Sequence, residues 1–256
     1  MIAALVGHTG FVGGSLAAAS NFDVLINRDS LESLRGMHID RLVCAGLPAG
    51  KWIANQSPRE DAANVRRLET ILSTIRAETF VLISTIDVYA KTKGADEESD
   101  CASETNHAYG THRLEFERFV RGTFPRAHIV RLPALFGPGM KKNILYDLLH
   151  RHRLERINPA SQFQWYPLIM LPNHLRIIET HNLRLVNLFT EPLETSAILE
   201  RLFPDVEVGH CPDPPAYYDL HTQYGALFGD NERYVLSKTE IMTALVDFVR
   251  AERHRK

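Results

Sequence analysis

Short apolar runs alternate with helical patterns through the first half of the chain. Ile2 to Val6 reads as a buried strand and passes straight into a glycine-rich turn. Similar runs follow at Val24 to Ile26, Arg41 to Ala45, Phe80 to Ser84 and Ile129 to Leu132. Between the third and fourth runs, Val65, Leu68, Leu72 and Ile75 recur at helical spacing, while Arg66, Arg67, Glu69 and Arg76 take other faces. A second helical stretch, about Asn106 to Arg121, separates the fourth and fifth runs. Strands that alternate with helices predict an α/β protein with a parallel sheet covered by helices.

After Pro138 the pattern changes. Asn143 to Leu154 reads as a helix, Gln162 to Pro172 is aromatic and broken by proline, and Arg184 to Phe189 reads as another strand. A helix precedes Pro204, Cys211 to Pro215 is a proline-rich loop, and Lys238 to Arg253 forms a terminal helix. The predicted organisation is a core over residues 1–140 and a smaller region over 141–256, with a strand and helix at about 184–203 returning to the core.

Composition narrows the partners. The 256 residues carry 29 Lys+Arg against 31 Asp+Glu, a formal charge of -2 that argues against a surface built to hold nucleic acid or anionic lipid. No apolar run approaches the ~20 residues of a membrane helix, and no basic stretch precedes the first apolar run as in a signal peptide. The three cysteines, Cys44, Cys101 and Cys211, lie far apart and include no CxxC pair, and His150-x-His152 lacks further ligands. We therefore expect a cytoplasmic protein that binds no metal.

The strongest local signal is Gly7-His8-Thr9-Gly10-Phe11-Val12-Gly13, directly after the first strand and at the start of a helix. Glycines there let the chain turn tightly and let its backbone approach a pyrophosphate, while the helix N-terminus offers free N–H groups. The alternative is a plain strand-to-helix turn. With the strand order above, the motif predicts a Rossmann-type doubly wound parallel sheet with a small C-terminal substrate-binding region. The lone His8 reads as a spacer. Where an NAD-selective fold presents an acidic residue to the ribose, this chain has Asn27-Arg28. Asn27 can hydrogen-bond a ribose and Arg28 can grip a 2′-phosphate, which favours NADP(H) over NAD(H); the alternative is Arg28 paired with Asp29.

Further on, Ser84-Thr85-Ile86-Asp87-Val88-Tyr89 is followed by Tyr109-Gly110-Thr111-His112-Arg113, and then by Arg131-Leu132-Pro133-Ala134-Leu135-Phe136-Gly137-Pro138-Gly139. With the glycine motif, and with Asn64 early in the amphipathic helix, this set resembles the extended short-chain dehydrogenase/reductases: the NAD(P)-dependent nucleotide-sugar epimerases, dehydratases and reductases. The resemblance covers about the first 140 residues. It implies that Thr85 is the active-site hydroxyl and Tyr109 the catalytic tyrosine, with Arg113 beside it. It also implies cofactor contacts from Gly7, Thr9, Gly10, Phe11, Val12, Gly13, Asn27, Arg28, Cys44, Ala45, Asn64, Tyr109, Arg113 and Pro133. The substrate would be a small molecule, a nucleotide sugar. Two copies would pair through helices at about Pro58 to Arg76 and Asn106 to Arg121, as a homodimer.

Two departures bear on the chemistry. The family's Tyr-x-x-x-Lys is here Tyr109-x-x-x-Arg113. Residues four apart share a helix face, so the cation still lies beside the phenol and is expected to lower its pKa, but a guanidinium does not titrate usefully. His112 is expected to point away toward the surface. In the family's 4,6-dehydratases the threonine is followed by Asp-Glu; here it is followed by Ile86-Asp87, which disfavours dehydration and leaves Asp87 either an acid/base or substrate contact or a loop cap. Lys141 and Asn143 either meet a diphosphate or start a solvated helix. Lys51-Trp52 is a candidate lining of the cofactor or a base, and Gln162 to Tyr166 either stack on a nucleotide or pack in the core. The expected activity is NADP(H)-dependent reduction of a keto-sugar. The alternatives are an epimerase or a catalytically weak NADP(H)-binding regulator.

Overall fold

The computed structural model describes residues 1–255 and divides into two compact units. The first comprises residues 1–91, 98–132 and 171–187; the second comprises 92–97, 133–170 and 188–256.

The first unit is built on a six-stranded, wholly parallel sheet. Its strands are β1 (Ala3–Val6), β2 (Val24–Ile26), β3 (His38–Cys44), β4 (Arg76–Thr85), β5 (Ala127–Leu132) and the segment Leu185–Asn187. The spatial order is β2-β1-β3-β4-β5 followed by Leu185–Asn187, the Rossmann-like, doubly wound arrangement that the alternating pattern predicts. The chain steps from β1 outward to β2, then crosses back over β1 to β3 and continues on that side, so helices cover both faces. α1 (Phe11–Ala19) packs with Leu171–Thr180, and α2 (Lys51–Gln56), α3 (Pro58–Leu72) and α4 (Ala108–Thr123) pack with one another. Alternate residues of the buried strands, Ala4, Val6, Leu42, Cys44, Phe80, Leu82 and Ile129, join Val65, Leu68, Leu72, Phe116 and Val120 in one hydrophobic cluster. The outward positions of α3 and α4 carry Arg59, Glu60, Arg66, Arg67, Glu115 and Arg118.

Three elements differ from the sequence pattern. α3 ends at Leu72 rather than running to Arg76, because Arg76 already pairs with His38 as the first residue of a ten-residue β4. The periodicity persists because Ile75 is buried in the connecting turn. α2 has no counterpart in the pattern. Leu171–Thr180 is a helix despite Pro172, which sits in its first turn, where a proline costs no intrahelical hydrogen bond.

The second unit holds two small sheets. Gln162–Phe163 pairs antiparallel with Leu193–Glu194, and Ala134–Phe136 pairs parallel with Trp165–Pro167. The C-terminal helix Lys238–His254 packs on Trp165–Pro167 and on the helix Thr195–Leu202, and its start is secured by a Ser237–Glu240 capping box. Trp165 and Tyr166 are fully buried, and the Gln164 side chain donates to the carbonyls of Thr190 and Leu220 at 2.6 and 2.7 Å. Of the two readings for this aromatic stretch, those two rings serve the core. Among the described residues, no helix is long and apolar enough to cross a membrane.

Candidate active site

The register of the sheet brings the sequence motifs to one edge. Val6 aligns with Cys44, and Cys44 with Leu82, so Gly7, Ala45 and Thr85 all emerge at the carboxyl ends of neighbouring strands. In a doubly wound sheet this edge, where the winding reverses, is the place for a ligand.

The glycine turn is closed on itself. Gly7 adopts φ +88°, donates to Ile26 O at 2.7 Å and accepts from Gly10 N at 2.9 Å. A Cβ on Gly7 would lie 2.4 Å from Ala45 O, and one on Gly13 would lie 2.1 Å from Gly7 O. Both positions therefore require glycine, and the loop lies flat against the start of α1. Gly10 is the N-cap of that helix and offers no side-chain cap, so the first-turn N–H groups of Phe11, Val12 and Gly13 stay available to an anion. Thr9 and Gly10 are exposed, and the Nδ1 atom of His8 is buried with no partner. This cradle fits the pyrophosphate of a dinucleotide.

At the end of β2, the Asn27 side-chain oxygen accepts from the backbone of Asp29 and Ser30, both at 2.9 Å, which leaves its amide N–H groups over. Arg28 is exposed and forms no ion pair among the described residues, with Asp29 or otherwise. Cys44 points into the hydrophobic cluster, where burial raises its thiol to about 11, so only its backbone faces the edge. Asn64 lines a small groove of α3 with Pro48, Gly50, Ala54 and Asp61. In the second unit, Pro133 is buried, Lys141 is exposed, and Asn143 caps the helix Ile144–His150 by accepting from Tyr146 N while donating to Leu135 O, both at 2.9 Å.

Thr85 and Tyr109 meet. Thr85 ends β4; its hydroxyl accepts from Asp87 N at 3.2 Å and favours the ionised form of the Tyr109 phenol. Tyr109 lies in the first turn of α4. That turn is capped by His107, whose Nδ1 accepts from Gly110 N at 3.0 Å, so the imidazole proton sits on Nε2. Asn106 donates to Asp87 O at 2.8 Å, and a Cβ on Gly110 would lie 2.1 Å from that same oxygen. The glycine after Tyr109 is thus what lets α4 come down onto the turn after Thr85. Tyr109 N donates to the Asn55 side chain of α2 at 3.0 Å. The hydroxyl is placed from three directions.

Arg113 does share the face of Tyr109, with its guanidinium carbon 4.0 Å from the ring centroid. It is only 1% exposed, and it donates to Asp61 Oδ2 and to the carbonyl of Pro48. The expected lowering of the phenol pKa does not prevail. Burial pushes the Tyr109 hydroxyl above its usual range, Arg113 pulls it down, Asp87 pushes it up, and Thr85 and Lys51 pull it down. Arg113 also pairs with the buried carboxylate of Asp61. That carboxylate, pushed upward by burial, is nonetheless held below its ordinary value by Arg113 and His112. His112 is not turned to the surface as expected: it is half-buried, with Nδ1 2.7 Å from Asp61 Oδ2.

Asp61, Asn55, His107 and the Lys51–Asp87 contact were not singled out by sequence. Asp61 reads as an ordinary acid in the first turn of a helix. His107, two residues before Tyr109 at the start of a helical pattern, is the one with a legible signal, since a polar residue there is a candidate cap.

No protein-family model and no curated protein matches the sequence. Solved structures do match over nearly the full length. An NAD-dependent NDP-hexosamine 5,6-dehydratase of tunicamycin biosynthesis is 16% identical with a TM-score of 0.77, covering 99% of this chain and 98% of its own. A UDP-N-acetylglucosamine 4-epimerase from Methanobrevibacter ruminantium, in complex with UDP-N-acetylmuramic acid, is 11% identical with a TM-score of 0.76 and covers 100% of both chains. A dTDP-4-dehydrorhamnose reductase from Bacillus anthracis, in complex with NADP, is 14% identical with a TM-score of 0.71, covering 97% of this chain and 98% of its own. The chain therefore has the fold of the extended short-chain dehydrogenase/reductases, as the sequence motifs implied. Its likeness extends through the second unit as well as the first.

Proposed function

We propose that the protein is an NADP(H)-dependent oxidoreductase acting on a nucleotide-activated sugar, most simply by reducing a keto group. The observation that carries this reading is the close approach of the start of α4, which bears Tyr109, onto the turn after Thr85, at the sheet edge that also carries the glycine cradle. The Gly7–Gly13 turn would hold a nicotinamide dinucleotide, which would supply the hydride. Tyr109 hands its hydroxyl proton to the carbonyl oxygen, and Thr85 holds that oxygen in line. Burial that raises the phenol pKa suits this direction, because the hydroxyl stays protonated until the oxygen demands its proton. The three fold neighbours named above are a dehydratase, an epimerase and a reductase of nucleotide sugars, which supports the substrate class. Pairing of two copies through α3 and α4 belongs to the same reading; a monomeric mass at micromolar protein would remove it.

A panel of keto-nucleotide-sugars with NADPH and NADH tests the proposal. Turnover with NADPH is the expected result. Interconversion of two sugar epimers without added cofactor, with nicotinamide retained through purification, would replace reduction by epimerisation. Arg28→Ala is expected to weaken NADPH binding by tenfold or more, roughly the worth of one charge-assisted contact, and to spare NADH. Equal loss for both, read by fluorescence titration, would overturn the cofactor preference.

A further inference from the structure

The Tyr109 site holds a second cation that the motif does not contain. Lys51 opens α2, and its Nζ lies 2.6 Å from Asp87 Oδ1. Asp87 donates its backbone N–H to the hydroxyl of Thr85, and its carbonyl receives Asn106 at the start of α4, one turn from Tyr109. One helical turn on, Asn55 accepts the backbone N–H of Tyr109, so the face of α2 that carries residues i and i+4 is applied to this site at both points. The two cations differ in kind. Arg113 is sealed from solvent and bound to Asp61, whereas the Lys51 side chain is 40% exposed and ends in an ammonium that can exchange protons with water.

We propose that Lys51, held by Asp87, is a second cation that tunes the Tyr109 hydroxyl, a positioning residue acting from α2 alongside Arg113 on α4. This deepens the reductase reading and rests on it for its role in turnover. Every charged or titratable neighbour of the phenol has a defined part. Asp87, beyond the end of β4, favours the neutral phenol, and Lys51 on α2 favours the phenolate. His107, the cap of α4, is kept neutral by burial and by Lys51. Arg113 on α4 also favours the phenolate while pairing with Asp61 of α3, which His112 contacts too. Lys51 and Asp87 thus pull in opposite directions, and removing either unbalances the other.

The decisive experiment reads the phenol without turnover. A trifluorinated tyrosine, nearly isosteric and titrating in the neutral range, is encoded in place of Tyr109 in the full chain. Its midpoint is then followed by fluorine NMR in the absence of cofactor. Lys51→Met is expected to raise the midpoint by about one pH unit and Asp87→Asn to lower it by a similar amount. Lys51→Arg, which keeps the charge, should titrate at or below the unsubstituted protein. An unmoved midpoint in Lys51→Met, or a Lys51→Arg that behaves like Lys51→Met, overturns the proposal. Thermal unfolding of each variant guards against misfolding, which a partly exposed side chain is not expected to cause. In the enzyme with Tyr109 unmodified, the pH–rate profile of Lys51→Met should move in the same direction as the NMR midpoint. Absence of turnover on every nucleotide sugar would remove the reductase reading, and the NMR midpoint would still decide whether Lys51 tunes the phenol.

Discussion

The first unit contains two buried arginines that each stack on a tyrosine, and they are put to different uses. Arg131 lies 4.8 Å from the Tyr89 ring centroid, grips Glu117 with two nitrogens at 3.0 and 2.6 Å, and donates to the Tyr89 hydroxyl at 2.7 Å. Asn187 donates to the same hydroxyl at 2.8 Å, and Ser84 donates to Glu117 at 2.5 Å. Arg113 lies 4.0 Å from the Tyr109 centroid but bonds Asp61 and Pro48, leaving its Nε buried without a partner. In the first stack the cation captures the hydroxyl and locks it. In the second, the cation covers the ring face while the hydroxyl stays turned to Thr85. A hydroxyl held by two donors is fixed in place; one that is left to its surroundings keeps a proton to be used.

The largest expected effect separates the two tyrosines. Tyr109→Phe should lower turnover by about 10²–10⁴-fold while NADPH affinity stays close to its starting value, and steady-state kinetics with fluorescence titration checks both. Next comes the arginine of the locked stack. Arg131→Met strands the Glu117 carboxylate in the core and should cost about 3–5 kcal/mol in urea unfolding. Tyr89→Phe leaves two buried donors unmet and should cost about 1–3 kcal/mol in the same assay, with kcat unchanged in the folded protein. A loss of turnover from Tyr89→Phe equal to that from Tyr109→Phe would erase the distinction.

The smallest effect is one of pH. Asp61 has its pKa lowered by folding, so its contribution to stability is complete above the unfolded value of about 3.9 and drains away as pH falls through the lower folded value. Asp61→Asn should begin less stable at neutral pH and show a shallower decline on the acid side. Urea midpoints measured from neutral pH downward would reveal parallel curves if Asp61 carried no such linkage.

Much of this site was legible in the sequence where its causes are local. The Gly7–Gly13 turn needs only a strand, its spacing and a following helix. Tyr109 and Thr85 announce themselves through short segments whose neighbours, Gly110 and Asp87, do local jobs. What could not be read rests on long-range pairing. Asp61 and Arg113 are 52 positions apart and Lys51 and Asp87 are 36 apart, and no periodicity links them. α2 is six residues long with Trp52 and Ile53 exposed, so it lacks the apolar stripe by which a helix is recognised. Arg113 therefore reads as a weaker lysine from sequence, when in the fold it is the partner of a buried carboxylate.

The place of Leu185–Asn187 in the sheet has a consequence for how the chain is made. β5 ends at Leu132, and the strand that pairs with it arrives only after the chain has left the first unit and come back. On a ribosome the other five strands emerge first, and the free edge of β5 then waits while the intervening segment is synthesised. Such an edge invites pairing with another chain, and closing it carries the entropy of a long loop. Residues 133–184 thus set a delay in assembly. A nascent chain stalled before Leu185 should exchange the backbone amides of β5 with solvent far faster than one released just after Asn187.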